Sequence, residues 1–364
     1  MTILFAIPYN NHAGGINQWA KHIIDYHQSV ASDVELDILP MNDPKGSDRS
    51  KPHSKLDRLR YGIRTYTAVV KNLKARSRER HYDVLHIASS ASISLLKDIW
   101  MMRIARRRGI KSVLHLHFGR IPELAERKGW EWRLLKRTIK MADKCVVLDN
   151  RSYTTLRNMG FSNVSLLANP LAPRVEEIIQ RQGNVARVKN RLLFVGHCIP
   201  TKGVYELVEA AKRIKGIELR MVGPIHDDIR RDLEHLADNA AWLNIMGQCD
   251  FEMVVREMQE CGIFVLPTYT EGFPNVIIES MACGCPIVTT PVGAIPEMLA
   301  LNSERSCGLC VAPKDVDALT KAIETFITEP VMASDFGLRA KQRVAAEYSI
   351  ESVWRELCQI WKLE

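Results

Sequence analysis

The stretch RLLFVGHCIPTKGVYELVEAAKRIKGIELRMV, residues 191–222, predicts a strand, a helix and a second strand in close succession. Leu192–Gly196 and Glu218–Val222 are short runs rich in apolar residues, and the segment between them is amphipathic and of helical length. Two strands joined by a helix lie parallel in one sheet, because the connection is too long for a hairpin. Residues 191–222 therefore predict a parallel sheet with helices packed on it.

The same alternation of strand and helix runs through the chain of 364 residues and occurs twice. In the first half the predicted strands are Ile3–Ile7, Val34–Leu39, Val84–Ala88, Ser112–His117, Cys145–Leu148 and Val164–Ala168. In the second half they are Leu192–Gly196, Glu218–Val222, Trp242–Met246, Ile263–Tyr269, Ile287–Thr290 and Leu309–Ala312. We therefore predict an α/β fold of two Rossmann-like, doubly wound parallel-sheet domains. Their strand carboxyl ends are expected to face one central cleft, where such sheets bind ligands.

The predicted domain boundary falls at ANPLAP, residues 168–173, because its two prolines interrupt any regular element. We expect an N-terminal domain over residues 1–170 and a C-terminal domain over residues 171–346. Residues 347–364 contain an amphipathic helix with Ser349 as its cap. We expect this helix to pack back on the N-terminal domain.

Charge is distributed unequally along the chain. Residues 1–170 contain 29 Lys and Arg against 15 Asp and Glu, a net charge of +14, whereas the remainder carries −6, for a total of +8. This asymmetry predicts a polyanionic partner for the first half only.

The N-terminal sequence MTILFAIPYN is too short for a signal peptide, and no apolar run approaches the ~18–20 residues of a membrane span. We therefore expect a cytoplasmic protein. Nine cysteines, an odd number, favour reduced thiols over a disulfide framework. CGC at 283–285 and CGLC at 307–310 resemble two zinc half-sites, but both stretches also fit helix and strand ends. Buried, inert thiols are the preferred interpretation, with zinc as the alternative.

Two stretches place glycine at the start of a helix that follows a strand. Gly14 and Gly15 follow the first strand, where residues without side chains let backbone N–H groups approach a phosphate. The G-x-G-x-x-G fingerprint is absent, so a dinucleotide is not indicated. Lys202 and Gly203 follow a second-half strand. A lysine there opposes the helix dipole at a cost of ~0.3–1 kcal/mol unless an anion binds; a solvated surface lysine is the alternative.

The stretch TEGFPNVIIESMACG, residues 270–284, carries Glu271 and Glu279 in otherwise apolar surroundings. Pro274 suits the first turn of a helix and Gly284 its end, so Glu271 lies in the preceding loop and Glu279 lies over one turn into the helix. Both are then expected to point at the cleft, where one carboxylate could hold a sugar and the other a ribose by accepting hydrogen bonds from hydroxyls. A carboxylate paired with a nearby arginine or backbone group is the alternative for Glu279.

These residues together resemble a known family. Glu271 and Glu279 look like the E-x7-E motif of retaining GT-B glycosyltransferases, particularly glycosyltransferase family 4 (glycosyl transferases group 1). FVGHCIPTKGVYELVEA, residues 194–210, is similar to the second signature of that family, and VGAIPEML, residues 292–299, follows at the usual place. The resemblance is strongest over residues 190–300.

The resemblance implies a role for each residue that matches a motif. Gly14 and Gly15 would lie beside the donor diphosphate, Lys202 would neutralise it, and Glu279 would bind the nucleotide ribose. Glu271 would hold the donor sugar together with the backbone N–H groups of the next four residues, Gly272, Phe273, Pro274 and Asn275. His117 matches the active-site histidine of the family, and His115 lies two residues earlier on the same strand face. Many members carry arginine where this chain has His197, which is not permanently charged.

The implied reaction moves a hexosyl or N-acetylhexosaminyl group from a nucleotide-sugar, expected to be a UDP- or GDP-sugar, to a hydroxyl of a glycan or lipid-linked acceptor. Anomeric configuration would be retained, with a donor phosphate oxygen taking the acceptor proton. For this reaction we expect neither a catalytic metal nor another cofactor. The family suggests cell-envelope polysaccharide biosynthesis: O-antigen, capsule or exopolysaccharide.

Three basic segments, residues 55–80, 101–111 and 126–144, combine Arg and Lys with Trp, Tyr and Met at helical spacing. Such segments suit an anionic membrane surface at ~1 kcal/mol per basic residue, and solvated basic helices are the alternative. We expect a peripheral protein on the cytoplasmic face of the inner membrane. Two other classes compete. Nucleic-acid binding, which we do not expect, explains the basic half but neither the glutamates nor the acidic half. A nucleotide-sugar epimerase explains nucleotide binding but not E-x7-E.

Overall fold

The computed structural model describes residues 1–8, 15–41, 55–183, 185–301 and 303–363. These residues form two compact units. The first contains Met1–Ala168 together with Val353–Glu364, and the second contains Asn169–Ser352. Each unit is built around one six-stranded sheet in which all neighbouring strands are parallel.

The first unit contains a sheet of order β2-β1-β3-β4-β5-β6. Its strands are β1 Thr2–Ile7, β2 Glu35–Pro40, β3 Val84–Ser89, β4 Lys111–Leu116, β5 Lys144–Val147 and β6 Val164–Leu166. Its helices are α1 Gly15–Ser29, α2 Lys55–Glu79, α3 Leu95–Arg107, α4 Ile121–Arg127, α5 Trp130–Met141 and α6 Asn150–Asn158, and a short 3₁₀ turn spans Ser92–Ser94. Every residue of β3 is buried, as expected for a central strand covered on both faces.

The second unit contains a sheet of order β12-β11-β10-β7-β8-β9. Its strands are β7 Val188–Val195, β8 Glu218–Val222, β9 Leu243–Gly247, β10 Cys261–Leu266, β11 Ile287–Thr289 and β12 Leu309–Cys310. Its helices are α7 Pro173–Gln182, α8 Val204–Lys212, α9 Asp227–Leu236, α10 Phe251–Glu260, α11 Asn275–Ala282, α12 Ile295–Met298, α13 Val316–Thr328 and α14 Pro330–Glu347. The last helix of the chain, α15, spans Ile350–Lys362, and the Ser349 hydroxyl accepts a hydrogen bond from the Ser352 N–H at its start.

The predicted α/β fold of two parallel sheets is confirmed, and each of the twelve predicted strands has a counterpart. Two of the observed strand ends differ from the predicted ones, each for a physical reason. β7 begins at Val188, before the predicted Leu192. The prediction missed this start because Val188, Lys189 and Asn190 are exposed and an isolated valine before two polar residues is no apolar run. β10 ends at Leu266, before the predicted Tyr269, because Pro267 has no N–H to donate to a neighbouring strand.

The strand order in each sheet fixes where a ligand can bind. In the second sheet, β7 lies between β8 and β10, so the chain leaves β7 towards one edge and later returns on its other side. Such a reversal opens a crevice beyond the carboxyl ends of the two strands, which is the usual ligand site of doubly wound sheets. The loops that follow β7 and β10 meet there.

Among the described residues, no helix combines the length and the apolar character that a membrane crossing requires.

Candidate functional site

Two loops meet at the carboxyl edge of the second sheet. The chain after β7 forms a 3₁₀ turn, Pro200–Lys202, before α8 begins. The chain after β10 runs from Pro267 to Pro274 before α11 begins. The Tyr269 N–H donates a 2.9 Å hydrogen bond to the Thr201 carbonyl, which fixes the second loop to the first.

Gly203 permits the close approach of these loops. Its φ of 72° is left-handed, and a Cβ at this position would lie 2.1 Å from the Pro267 carbonyl oxygen. A side chain of any size is therefore excluded by both conformation and space. The contact holds Lys202, the preceding residue, against the β10 loop, where its ammonium group forms an ion pair with the Glu271 carboxylate.

A third segment supports the loop that carries Glu271. Gly293 has a φ of 57°, and a Cβ there would lie 2.5 Å from the Glu271 carbonyl oxygen. The Ala294 N–H donates a 2.9 Å hydrogen bond to the Gly272 carbonyl. The loop after β11 thus packs directly on the backbone of Glu271 and Gly272, which places this part of the VGAIPEML stretch beside the glutamate.

Beyond Glu271, the chain presents N–H groups at the start of α11. The N–H groups of Gly272 and Phe273 donate no hydrogen bond within the described part of the chain. Pro274 has no N–H, so the expectation of N–H groups from all four residues after Glu271 is wrong at this one position. Asn275 is the first residue of α11, and its side-chain oxygen accepts a 3.1 Å hydrogen bond from the Asn169 amide.

Glu279 is the fifth residue of α11 and is half-buried. Burial raises the pKa of its carboxyl group to about 7. Within the described ranges no arginine, lysine or backbone N–H pairs with this carboxylate, which disfavours the structural ion-pair interpretation for this residue. A half-buried carboxylate without a partner is a ready acceptor for ligand hydroxyl groups.

His197 follows Gly196 at the end of β7 and is exposed. Its ring lies 6.1 Å, between centroids, from that of His226, the residue before α9. Sequence reasoning did not select His226, since the two histidines are 29 positions apart in the chain. Two imidazoles therefore lie near each other beyond the carboxyl ends of β7 and β8.

Two contacts of Tyr269 hold the loop after β10 in place. The Tyr269 hydroxyl donates a 2.5 Å hydrogen bond to the Glu206 carboxylate on α8. The Lys314 ammonium group lies 5.0 Å from the centroid of the Tyr269 ring. Neither contact was predicted, because the partners are distant in sequence and match no motif. The first contact fixes the β10 loop on α8, the helix that Lys202 precedes, and the second joins it to the residues before α13.

In the first unit, His117 directly follows β4 and is partly exposed, although its Nε2 atom is buried without a partner among the described residues. Its ring lies 4.0 Å from that of His115 and 4.7 Å from that of Trp19. Burial lowers the pKa of His117 to about 3 and that of His115 well below its ordinary value. His117 is therefore a neutral imidazole at physiological pH.

A third histidine extends this cluster. His86 on β3 lies 5.4 Å from His115, and burial, with a smaller contribution from His117, lowers its pKa to about 3. Its Nδ1 accepts a 2.9 Å hydrogen bond from the indole N–H of Trp361 on α15. Because an indole N–H only donates, Nδ1 is unprotonated and neutral His86 carries its proton on Nε2. Sequence reasoning did not find His86, Trp19 or Trp361, since each resembles an ordinary core residue.

Gly15 is the first residue of α1, and a Cβ there would meet no atom within 4 Å. Gly14 lies outside the described residues.

All nine cysteines are free thiols. Cys283 and Cys285 lie against the Arg187 guanidinium group, and no three His, Cys, Asp or Glu side chains in the described ranges form a metal-binding group.

Two family profiles match the chain. The profile described as Glycosyl transferases group 1 matches residues 189–329, and the profile described as Glycosyltransferase Family 4 matches residues 13–173. The capsular polysaccharide biosynthesis glycosyltransferase CapM of Staphylococcus aureus is 29% identical over 175 residues, covering 45% of this chain and 43% of that protein. The chain spans between 34% and 60% of the length of the first curated relatives that it matches.

Solved structures with the same architecture cover the whole chain. Sucrose-phosphate synthase from Thermosynechococcus elongatus superposes with a TM-score of 0.77 at 20% identity, over 99% of this chain and 98% of that one. HepE from Anabaena, solved in complex with UDP, gives a TM-score of 0.70 at 16% identity over 99% of each chain. At these identities the likeness establishes the fold alone.

Proposed function

Because the chain belongs to the family 4 glycosyltransferases of the GT-B fold, we propose that it transfers a hexosyl or N-acetylhexosaminyl group from a nucleotide-sugar to a hydroxyl group of a glycan or lipid-linked acceptor, with retention of anomeric configuration. The observation that carries this proposal is the group of side chains at the carboxyl edge of the second sheet, in the segments that follow β7 and β10. Lys202 and Glu271 form an ion pair there, and Glu279 offers an unpaired carboxylate from the next helix.

Each charge in this group suits one part of a nucleotide-sugar. The Lys202 ammonium group can bind the diphosphate in exchange for its contact with Glu271. The free N–H groups at the start of α11 attract negative charge as well. Glu271 is then free to accept hydrogen bonds from sugar hydroxyls, and Glu279 to accept them from the ribose. These assignments make the ion pair the form of the site before the donor binds.

Transfer builds negative charge on the departing nucleoside diphosphate and positive charge on the sugar. Lys202 and the N–H groups of Gly272 and Phe273 would stabilise the first as preorganised charges and dipoles. Glu271 would lie beside the second. A phosphate oxygen of the donor would take the proton of the attacking hydroxyl on the same face of the sugar, so the configuration is retained. The positive charge on the phosphate side comes from the protein in this scheme, and we propose that no metal is required.

His117 is proposed to contact the transferred sugar as a neutral imidazole. Burial lowers its pKa to about 3, so it would act as a hydrogen-bonding group rather than as a cation. His197, exposed at the end of β7, would donate a hydrogen bond to the diphosphate and so replace the arginine of other members in part.

A UDP- or GDP-sugar is the proposed donor, and structures of the same fold that contain UDP support this choice. Cell-envelope polysaccharide is the proposed product class, since matched relatives are named for capsular polysaccharide, teichuronic acid and O-antigen chain synthesis. We propose that the protein works on the cytoplasmic face of the membrane that carries such acceptors.

The test is to incubate the protein with radiolabelled UDP-, GDP- and ADP-sugars and a membrane extract, with and without EDTA. We expect the label to appear in a glycan or lipid product with the anomeric configuration of the donor, at an unchanged rate in EDTA. An inverted product or loss of activity in EDTA would contradict the mechanism. A changed sugar nucleotide without transfer would replace the proposal with an epimerase.

A further inference from the structure

The exposed apolar side chains of the first unit are concentrated in neighbouring elements on one face of its sheet. Connections that move the chain from β2 through β3, β4 and β5 all run in one direction across the sheet, so right-handed crossovers put their helices on the same face. α2 contacts α3, α3 contacts α5, and the turn Ser92–Ser94 contacts both α3 and α5. We call the outer surface of these four elements the basic face.

Five large apolar side chains of the basic face are between 45% and 69% exposed. They are Ile63, Ile93, Leu96, Trp100 and Trp130. Leu96 and Trp100 are one turn apart at the start of α3, Trp130 is the first residue of α5, and Ile93 is the centre of the 3₁₀ turn. Helix starts lie at the carboxyl edge of the sheet, because each helix runs back antiparallel to its strand. The apolar side chains thus lie near the edge at which β4 leads into His117.

The backbone that presents Ile93 is strained. Ala91 and Ser92 have φ values of 62° and 57°, in the left-handed region that favours glycine. Strain of this kind persists only where the surroundings impose it, and it is common at binding sites. Ile93, the most exposed of the five apolar side chains, directly follows this strained pair.

The charge of the face is strongly positive. Helices α3 and α5 contain eight Lys and Arg against two Asp and Glu, and one of the two acidic residues, Asp98, is buried. The exposed basic side chains of these two helices form no ion pair with a described carboxylate; they are Arg106, Arg107, Arg133, Lys136, Arg137 and Lys140. The Arg103 guanidinium group lies 5.3 Å from the centre of the Trp100 ring, so charge and apolar surface adjoin.

We infer that the basic face docks on a lipid bilayer with anionic headgroups. Unpaired basic side chains complement anionic headgroups, and Trp, Leu and Ile gain by entering the boundary between headgroups and acyl chains. Nucleic acid would use the charges and the tryptophans but would leave Ile93 and Leu96 in water. The use of this docking rests on the proposed function: it brings His117 and the acceptor-binding unit to a lipid-linked acceptor.

The test is cosedimentation of the full-length protein with phosphatidylcholine vesicles that contain or lack phosphatidylglycerol, at low and high salt. Three variants separate the contributions. The charge variant is Arg133→Gln/Lys136→Gln/Arg137→Gln, and the apolar variant is Leu96→Ser/Trp100→Ser/Trp130→Ser. The matched control, Val331→Ser/Leu338→Ser, removes exposed apolar side chains from α14 in the second unit. Thermal unfolding checks that each variant is folded.

We expect binding that requires phosphatidylglycerol and weakens as salt rises. The charge variant should lose about fivefold in affinity per residue, roughly 10²-fold in total. The apolar variant should lose binding that the control keeps, and lipids with brominated acyl chains should quench the tryptophan fluorescence of the wild type more than that of the apolar variant. Equal binding to neutral vesicles, or equal loss in the control, would overturn the inference.

A second copy of the chain is the competing occupant of the face. Light scattering that shows a wild-type dimer and a monomeric apolar variant, without vesicle binding, would overturn the inference in favour of that interface. Binding of UDP in solution, measured on the same variants, should be unchanged. If the protein transfers no sugar but still binds anionic vesicles through this face, the proposed function fails and the docking surface stands.

Discussion

The ammonium group of Lys202 forms an ion pair with the carboxylate of Glu271, across the loops that follow two neighbouring strands, β7 and β10. Both side chains are largely buried, at 25% and 12% exposed. Two charges in such surroundings stabilise each other, and removing one leaves the other without compensation. In the proposed mechanism the donor diphosphate takes the place of Glu271 beside the ammonium group.

Replacing Lys202 should therefore weaken the binding of phosphate. We expect Lys202→Ala to lower the affinity for UDP or GDP without changing the affinity for the corresponding nucleoside, and to reduce kcat about 10²–10³-fold. Calorimetry with nucleoside and nucleoside diphosphate separates the two. Lys212→Ala is the matched control, because Lys212 ends α8 and pairs with Asp238 away from the site. Equal loss of nucleoside binding would show that the substitution disturbs the fold.

Glu279 should make the stability of the protein depend on pH. Burial raises its pKa from 4.5 to about 7, so between these values the folded protein holds a proton that the unfolded chain has lost. The free energy of unfolding therefore falls as pH rises through this window, by up to about 3 kcal/mol, and stays low above it. We expect Glu279→Gln, which stays neutral, to lack this decline.

Urea unfolding between pH 4.5 and 8 measures this difference. Glu324→Gln, a substitution on the exposed side of α13, serves as the control and should keep the wild-type dependence. If wild type and Glu279→Gln decline in parallel, the carboxyl group of Glu279 ionises in the folded protein as it does in water.

Gly203 and Gly216 offer a matched pair of glycines. Both have a φ of 72°, but a Cβ at Gly203 meets the Pro267 carbonyl oxygen at 2.1 Å, whereas a Cβ at Gly216 meets nothing within 4 Å. We expect Gly216→Ala to cost only the backbone strain, about 1 kcal/mol. Gly203→Ala should cost about 1–3 kcal/mol more from overpacking and should abolish transfer. Equal changes in the unfolding free energy of the two variants would show that the loops separate without cost.

Much of the fold follows from local sequence. β3, β4, β8 and β11 are apolar runs between amphipathic segments, and each begins within one residue of its predicted start. The pattern is readable because strands of a sheet covered on both faces are apolar throughout, and because the helices between them keep one polar side. Where that signal is missing, as in the exposed first residues of β7, the predicted strand begins later than the observed one.

Only some residues of the candidate site could be predicted from the sequence. Glu271 and Glu279 stand out because carboxylates are rare in apolar surroundings, and Lys202 stands out at a helix start. His86 and Trp361 did not, since they are 275 positions apart and each looks like a core residue alone. Tyr269 and Glu206 were missed for the same reason, being joined by a hydrogen bond between segments 63 residues apart.

The sequence by itself determined the two parallel sheets and the spacing of the two glutamates, because both depend on residues close together in the chain. Only the tertiary structure decided that Lys202 contacts Glu271, that Gly203 packs on Pro267, and that three distant helices form one basic face. Contacts of this kind depend on strand order and crossover handedness, which bring distant segments together without leaving a periodic pattern in either segment.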